Sequence, residues 1–160
     1  MASLSIALCV VVAGTLEPRI VDKGDTAPKF SLTTDQGRTV TRSEFGGKLL
    51  VLNFWATWCP PCIEELPSLD QFARKFSAQG VTVLAVSVDA SEKRYRDLLE
   101  RVRPAFQTVR DPEANVSSSY GTFKYPETYI IGKDGKVLYK ETGGRNWMDP
   151  AFLNYFQSLL

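Results

Sequence analysis

Apolar residues gather along this chain in two nearly unbroken blocks, and the rest of the pattern arranges itself around them. Leu49 to Trp55 (LLVLNFW) is broken only by Asn53, and Val81 to Val88 is a second run of the same kind. Such β-prone blocks without polar alternation predict strands buried on both faces of a sheet. Between them, from about Pro60 to Gln79, apolar residues recur at Ile63, Leu66, Leu69, Phe72, Ala73 and Phe76, the spacing of a helix face, and Gly80 ends the stretch. Strand, helix and parallel strand make a right-handed βαβ unit. Pro67 lies inside the helix and removes its bond to Ile63, so a kink is expected there.

The flanking segments are shorter. Lys29 to Thr33 and Arg38 to Thr41 enclose Asp35-Gln36-Gly37 and read as a β-hairpin, after which Thr41 or Ser43 is placed to cap one helical turn ending at Gly46-Gly47. Ser91 to Arg103 reads as an amphipathic, charged helix stopped by Pro104, followed by a short strand at Gln107 to Val109 and a short helix at Glu113 to Tyr120. Thr128 to Ile131 and Lys136 to Thr142 form a hairpin around Lys133-Asp134-Gly135, and a closing helix runs from about Asp149 to Leu160. The order is βαβ followed by ββα. No repeat or low-complexity tract interrupts it.

At the start, Leu4 to Ala13 is an apolar run the length of a signal-peptide core, too short to span a bilayer, with small residues near its end but no basic residues before it. Residues 1–19 are read as a signal peptide or truncated anchor in preference to a first strand, residues 20–26 as a polar linker, and residues 27–160 as one domain. Cys9 follows the bulky Leu8, where a lipoprotein signal wants a small residue, and is read as a small apolar member of the run.

Composition narrows the function. The 160 residues carry a formal charge of +1, with basic residues spread and aromatics in core-like contexts, which argues against nucleic-acid binding. Lys93, Arg94, Arg96, Arg101 and Arg103 are balanced by Glu92, Asp97 and Glu100 and read as a solvated helix face. With three cysteines and no histidine, a four-ligand zinc site cannot be assembled, and neither a metal nor another cofactor is implied.

The chemistry converges on Cys59-Pro60-Pro61-Cys62. Cys59 sits where a helix begins, because prolines fit the first turn. A thiol at a helix N-terminus meets the positive end of the dipole, which favours its thiolate and makes Cys59 the candidate nucleophile. Cys62, one turn deeper, is placed to attack a mixed disulfide at Cys59 and release the partner reduced. Glu65 follows on the same face, where a half-buried carboxylate can tune the Cys62 thiol or take its proton; the plainer reading, a surface glutamate near a helix N-terminus, suits Glu64 better. Pro60 and Pro61 lack N–H groups, so Cys59 has few backbone donors. A mildly lowered pKa and a reducing pair are expected.

The run FWATWCPPCIEELP resembles the active-site segment of the thioredoxin superfamily, specifically its TlpA/ResA/CcmG(DsbE)-like thiol–disulfide oxidoreductases, and the likeness extends from the APKFSL opening through the later YPET segment. The resemblance implies a thioredoxin-like α/β fold: a central mixed sheet flanked by helices, with an N-terminal β-hairpin and an insert between the second core strand and the cis-proline strand. It implies that Pro126 is that cis-proline and that Trp58, Tyr125 and Pro126 contact substrate, the Tyr125 backbone offering strand-type hydrogen bonds. Asn53 departs from thioredoxins proper, which usually carry a buried aspartate there, and shifts any acid–base role to Glu65 or water.

The implied partners are disulfide-containing proteins, with apocytochrome c a candidate client, and a membrane thiol electron donor. A monomer in the periplasm or another extracytoplasmic space, anchored or freed at its N-terminus, is the expected setting. Two other readings stay open. A peroxiredoxin-type peroxidase shares the APKFSL opening but places its cysteine in a PxxxTxxC setting absent here, and a copper(I) carrier would have to use two thiolates alone.

Overall fold

The computed structural model describes residues 19–160, so all of the expected leader but Arg19, Cys9 included, lies outside the described residues. In chain order the elements are β1 (Ser31–Thr33), β2 (Thr39–Thr41), β3 (Leu49–Trp55), α1 (Pro60–Phe76), a 3₁₀ turn (Ser77–Gln79), β4 (Val81–Ser87), α2 (Glu92–Val102), β5 (Gln107–Arg110), α3 (Asn115–Ser119), β6 (Glu127–Gly132), β7 (Val137–Thr142) and α4 (Pro150–Gln157). The main sheet has the order β5-β4-β3-β6-β7, and β1 and β2 pair separately as a hairpin. β3, β4 and β5 run parallel, whereas β6 and β7 are antiparallel to their neighbours.

All seven residues of β3 are buried, as an apolar block at the centre of a two-faced sheet requires. Its side chains alternate. Leu49, Val51 and Trp55 join the core formed with α1, α2 and α4, while Leu50, Leu52 and Phe54 join a second core under the hairpin with Val40, Phe45, Tyr120 and Tyr129. The first core centres on Phe72, whose ring centroid lies 4.8 Å from Phe76, 4.7 Å from Phe156 and 5.5 Å from Trp147. α1 buries Leu66, Leu69, Phe72, Ala73 and Phe76 together with Cys62 and Glu65, and continues through the exposed Pro67.

Two expectations need adjusting. The single helical turn before β3 does not form. The Thr41 hydroxyl does accept from Glu44 N–H at 2.9 Å, but Phe45 turns into the second core and the Lys48 and Leu49 amides both donate to the Gly80 carbonyl, at 2.5 and 3.2 Å, which draws the chain out straight. The helix expected over Glu113 to Tyr120 is shorter, because the Asp111 carboxylate binds the Val116 amide and the Asp111 carbonyl the Ala114 amide, making a turn before Asn115. The insert between β4 and β6 adds β5 to the sheet edge beside β4.

Candidate active site

β3 leads through Ala56, Thr57 and Trp58 into α1, and Cys59 stands at the junction. Cys59 is the N-cap residue, with extended backbone (φ −105°, ψ 101°), and Pro60 and Pro61 fill the first helical positions. The Cys59 amide donates back to Ala56 O at 3.3 Å, and its carbonyl accepts from Ile63 N–H at 3.2 Å. A disulfide joins Cys59 and Cys62, with Cα atoms 5.3 Å apart. Cys59 keeps 5% of its surface and Cys62 none, so Cys59 is the half of the pair that a second molecule can reach.

Trp58 is 57% exposed, and its ring meets Tyr125 edge-on at 5.9 Å. The Tyr125–Pro126 peptide bond is cis, and the Pro126 carbonyl accepts from Gly143 N–H at 2.8 Å. Gly144, next in that loop, lies against the helix start: a Cβ there would sit 2.9 Å from the Pro61 carbonyl oxygen, so only glycine allows this approach. The loop after β7 thus touches both the cis-proline strand and the cysteine-bearing turn.

Behind the pair, Glu65 is buried rather than half-buried, with 3% of its surface exposed. One carboxylate oxygen accepts from Asn53 Nδ2 at 2.9 Å, and the other from Trp147 Nε1 at 3.1 Å and the Arg145 amide at 3.3 Å. Asn53 also donates to Thr128 Oγ1 at 2.9 Å. This geometry follows from strand alternation and pairing: Asn53 and Thr128 are directly opposed in the β3–β6 register, on the face that looks toward α1. Burial is the main influence on Glu65 and pushes its pKa from 4.5 to about 7, against the downward pull of the Trp147, Asn53 and Arg145 donors. Glu64 beside it is exposed.

A second buried carboxylate braces the turn. Asp89, two residues beyond the end of β4, accepts from the Thr57 amide at 2.8 Å, the Thr57 hydroxyl at 2.6 Å and the Ser87 hydroxyl at 2.6 Å. Sequence reasoning missed Asp89, Thr57, Arg145 and Trp147. The only local signal was an acidic residue ending an apolar strand.

A five-stranded mixed sheet with a disulfide at the start of the helix after its central strand, and a cis-proline opening the neighbouring antiparallel strand, defines a thioredoxin-like thiol–disulfide protein. The comparisons agree with this class. The model of the AhpC/TSA family matches residues 23–140, and the chain belongs to that family of the thioredoxin superfamily. Thiol-disulfide oxidoreductase ResA of Geobacillus thermodenitrificans is 37% identical over 127 residues, which is 79% of this chain and 73% of that protein. ResA of Bacillus subtilis is 33% identical over 123 residues, 77% of this chain and 69% of the relative. A Chlorobium tepidum crystal structure assigned as the thiol:disulfide interchange protein DsbE superposes with a TM-score of 0.78 at 33% identity, covering 87% of this chain and 98% of that one. The protein is a thiol–disulfide oxidoreductase.

Proposed function

We propose that the protein reduces disulfides in other proteins through the Cys59–Cys62 dithiol. The Cys59 thiolate attacks a client disulfide, forming an S–S bond to one client sulfur while the other leaves as a thiolate and is protonated by water. Cys62 then passes its proton to the Glu65 carboxylate and attacks Cys59 Sγ. This closes the Cys59–Cys62 disulfide and expels the second client sulfur. Two electrons pass from dithiol to client, and a membrane thiol electron donor returns them to the pair.

The observation that carries this reading is the site's asymmetry: a reachable cysteine at the N-terminus of α1, a buried partner one turn on, and a buried carboxylate three residues beyond it. Trp58 and Tyr125 supply apolar surface beside Cys59, and the Tyr125 backbone before cis-Pro126 offers strand-type hydrogen bonds to an extended client. Few backbone donors face Cys59, since Pro60 and Pro61 have none, which favours a reducing pair. Apocytochrome c cysteines are the proposed clients, met outside the cytoplasm by a domain spanning residues 27–160 behind a 20–26 linker and a leader or anchor over 1–19. Among the described residues no helix is long and apolar enough to cross a membrane.

Cys62→Ser should accumulate a mixed disulfide between Cys59 and a disulfide-bearing client, and Cys59→Ser should not. Trapping through Cys62 instead would reverse the assigned roles. The reduction potential of the pair sets the direction of transfer: a value near about −270 mV fits a reductase, and one near about −120 mV would make the protein a disulfide donor.

A further inference from the structure

We infer that Asp89 is a positioning residue for Cys59: its buried carboxylate clamps the Ala56–Trp58 turn and holds a negative charge beside the start of α1, keeping the Cys59 thiol protonated and the pair reducing. Asp89 is 1% exposed and accepts three hydrogen bonds, two of them from Thr57, two residues before the nucleophile. Its own amide donates to Ser87 Oγ at 3.0 Å, and Val88 N–H donates to Trp55 O at 3.0 Å, so the end of β4 and the active-site turn are tied by both backbone and side chain.

The clamp has an electrostatic consequence. A thiolate at Cys59 would draw on N–H groups at the helix start, yet Pro60 and Pro61 have none and the Cys59 amide is turned to Ala56 O, which leaves the Cys62 amide; the Thr57 amide, in the turn before the helix, is bound to Asp89. The carboxylate therefore adds a like charge at the turn before Cys59, which disfavours the thiolate. A less stable thiolate means a less stable reduced form and a more negative reduction potential. The other charged groups at this end are arranged differently. Arg110 Nη1 donates to the Asp89 and Ala90 carbonyls while Nη2 pairs with Glu92, and Arg94, Asp97 and Arg101 line a groove together with Thr57 and Ile63.

The inference rests on the proposed Cys59 chemistry, and its test separates the two. Asp89→Asn keeps an acceptor for the Thr57 amide and removes the charge. Two readouts apply: the equilibrium constant of the Cys59–Cys62 pair with glutathione at pH 7, and the pH profile of Cys59 alkylation in a Cys62→Ser background. The expected result is a pair about tenfold more oxidising, equivalent to about 30 mV, with the alkylation midpoint moved to lower pH. An unchanged or more reducing pair with an unmoved midpoint would overturn the inference, even if the variant is less stable. Should Asp89→Asn not fold, Thr57→Val decides, since it removes one clamping bond and leaves the charge. A threefold or greater slowing of mixed-disulfide formation supports the clamp, and an unchanged rate refutes it. Parent protein that exchanges no disulfide at all would defeat the proposed function instead.

Discussion

Replacing Glu65 by glutamine in the oxidised protein isolates the energetic cost of its buried carboxyl. Its pKa rises from 4.5 to about 7 on folding, chiefly through burial. At about 1.4 kcal/mol per pH unit, that corresponds to about 3 kcal/mol between the protonated and ionised forms. With the folded-state pKa raised, the folded protein binds the proton more tightly than the unfolded chain. The stabilisation is complete below about 4.5 and is lost as pH rises through about 7. Glutamine has no such dependence. It does lose something constant: its single amide oxygen can face either Asn53 Nδ2 or the Trp147 Nε1 and Arg145 N–H pair but not both, leaving buried donors on one side unmatched at roughly 1–3 kcal/mol each. That offset is the same at every pH, so the difference between the two proteins carries the signal. Urea denaturation from pH 4 to pH 8, with the disulfide intact so that no thiol titrates, should show the parent losing about 3 kcal/mol relative to Glu65→Gln. Parallel stability curves would mean that Glu65 titrates as an ordinary carboxylate, and the case for it as proton acceptor at neutral pH would fall with them.

Two further changes probe the same region. Trp147→Phe keeps the ring packing near Phe72 but deletes the indole N–H bound to Glu65, one of the bonds that holds its pKa down, so the pH midpoint for Cys62-dependent resolution of a mixed disulfide should rise above that of the parent. Stopped-flow resolution rates between pH 5 and pH 9 would detect this, and a fall in the midpoint would contradict it. Phe72→Ala empties the centre of the aromatic cluster behind α1 and should cost about 3–5 kcal/mol in urea denaturation, with the exchange rate of the molecules that remain folded unchanged.

The parts of this molecule legible from sequence are those written in local pattern. The β3 and β4 blocks, the face of α1 and the turn at Lys133-Asp134-Gly135 are set by neighbours within a few residues, and the observed elements follow them. The cysteine pair is legible for the same reason, since its four residues are also a helix start. What was hidden depends on chain segments far apart. Glu65 could be placed on the cysteine face by counting, but its burial depends on Arg145 and Trp147, about 80 residues on, where the loop after β7 folds over α1. Thr57 and Asp89 lie 32 positions apart and meet only because β3 and β4 pair in register, ending at Trp55 and Ser87. The absent helical turn failed differently. Its capping bond forms, but burial of Phe45 and the straight entry into β3 outweigh one turn of helix.

Asn53 bears on the proposed role of Glu65 as a base, because it sets how that buried carboxyl titrates. An aspartate at that position would put a second carboxylate in hydrogen-bond contact with Glu65, where the amide nitrogen now lies at 2.9 Å. Two carboxylates that close cannot both ionise, so they would share one proton and titrate as a coupled pair. The amide donates instead. It favours the ionised form of Glu65 against burial, and the Trp147 indole and Arg145 amide act in the same direction on the other oxygen. The outcome is a single carboxyl, three residues after Cys62, held near neutral pH by opposing effects, which is the property the proposed proton transfer from Cys62 requires of it.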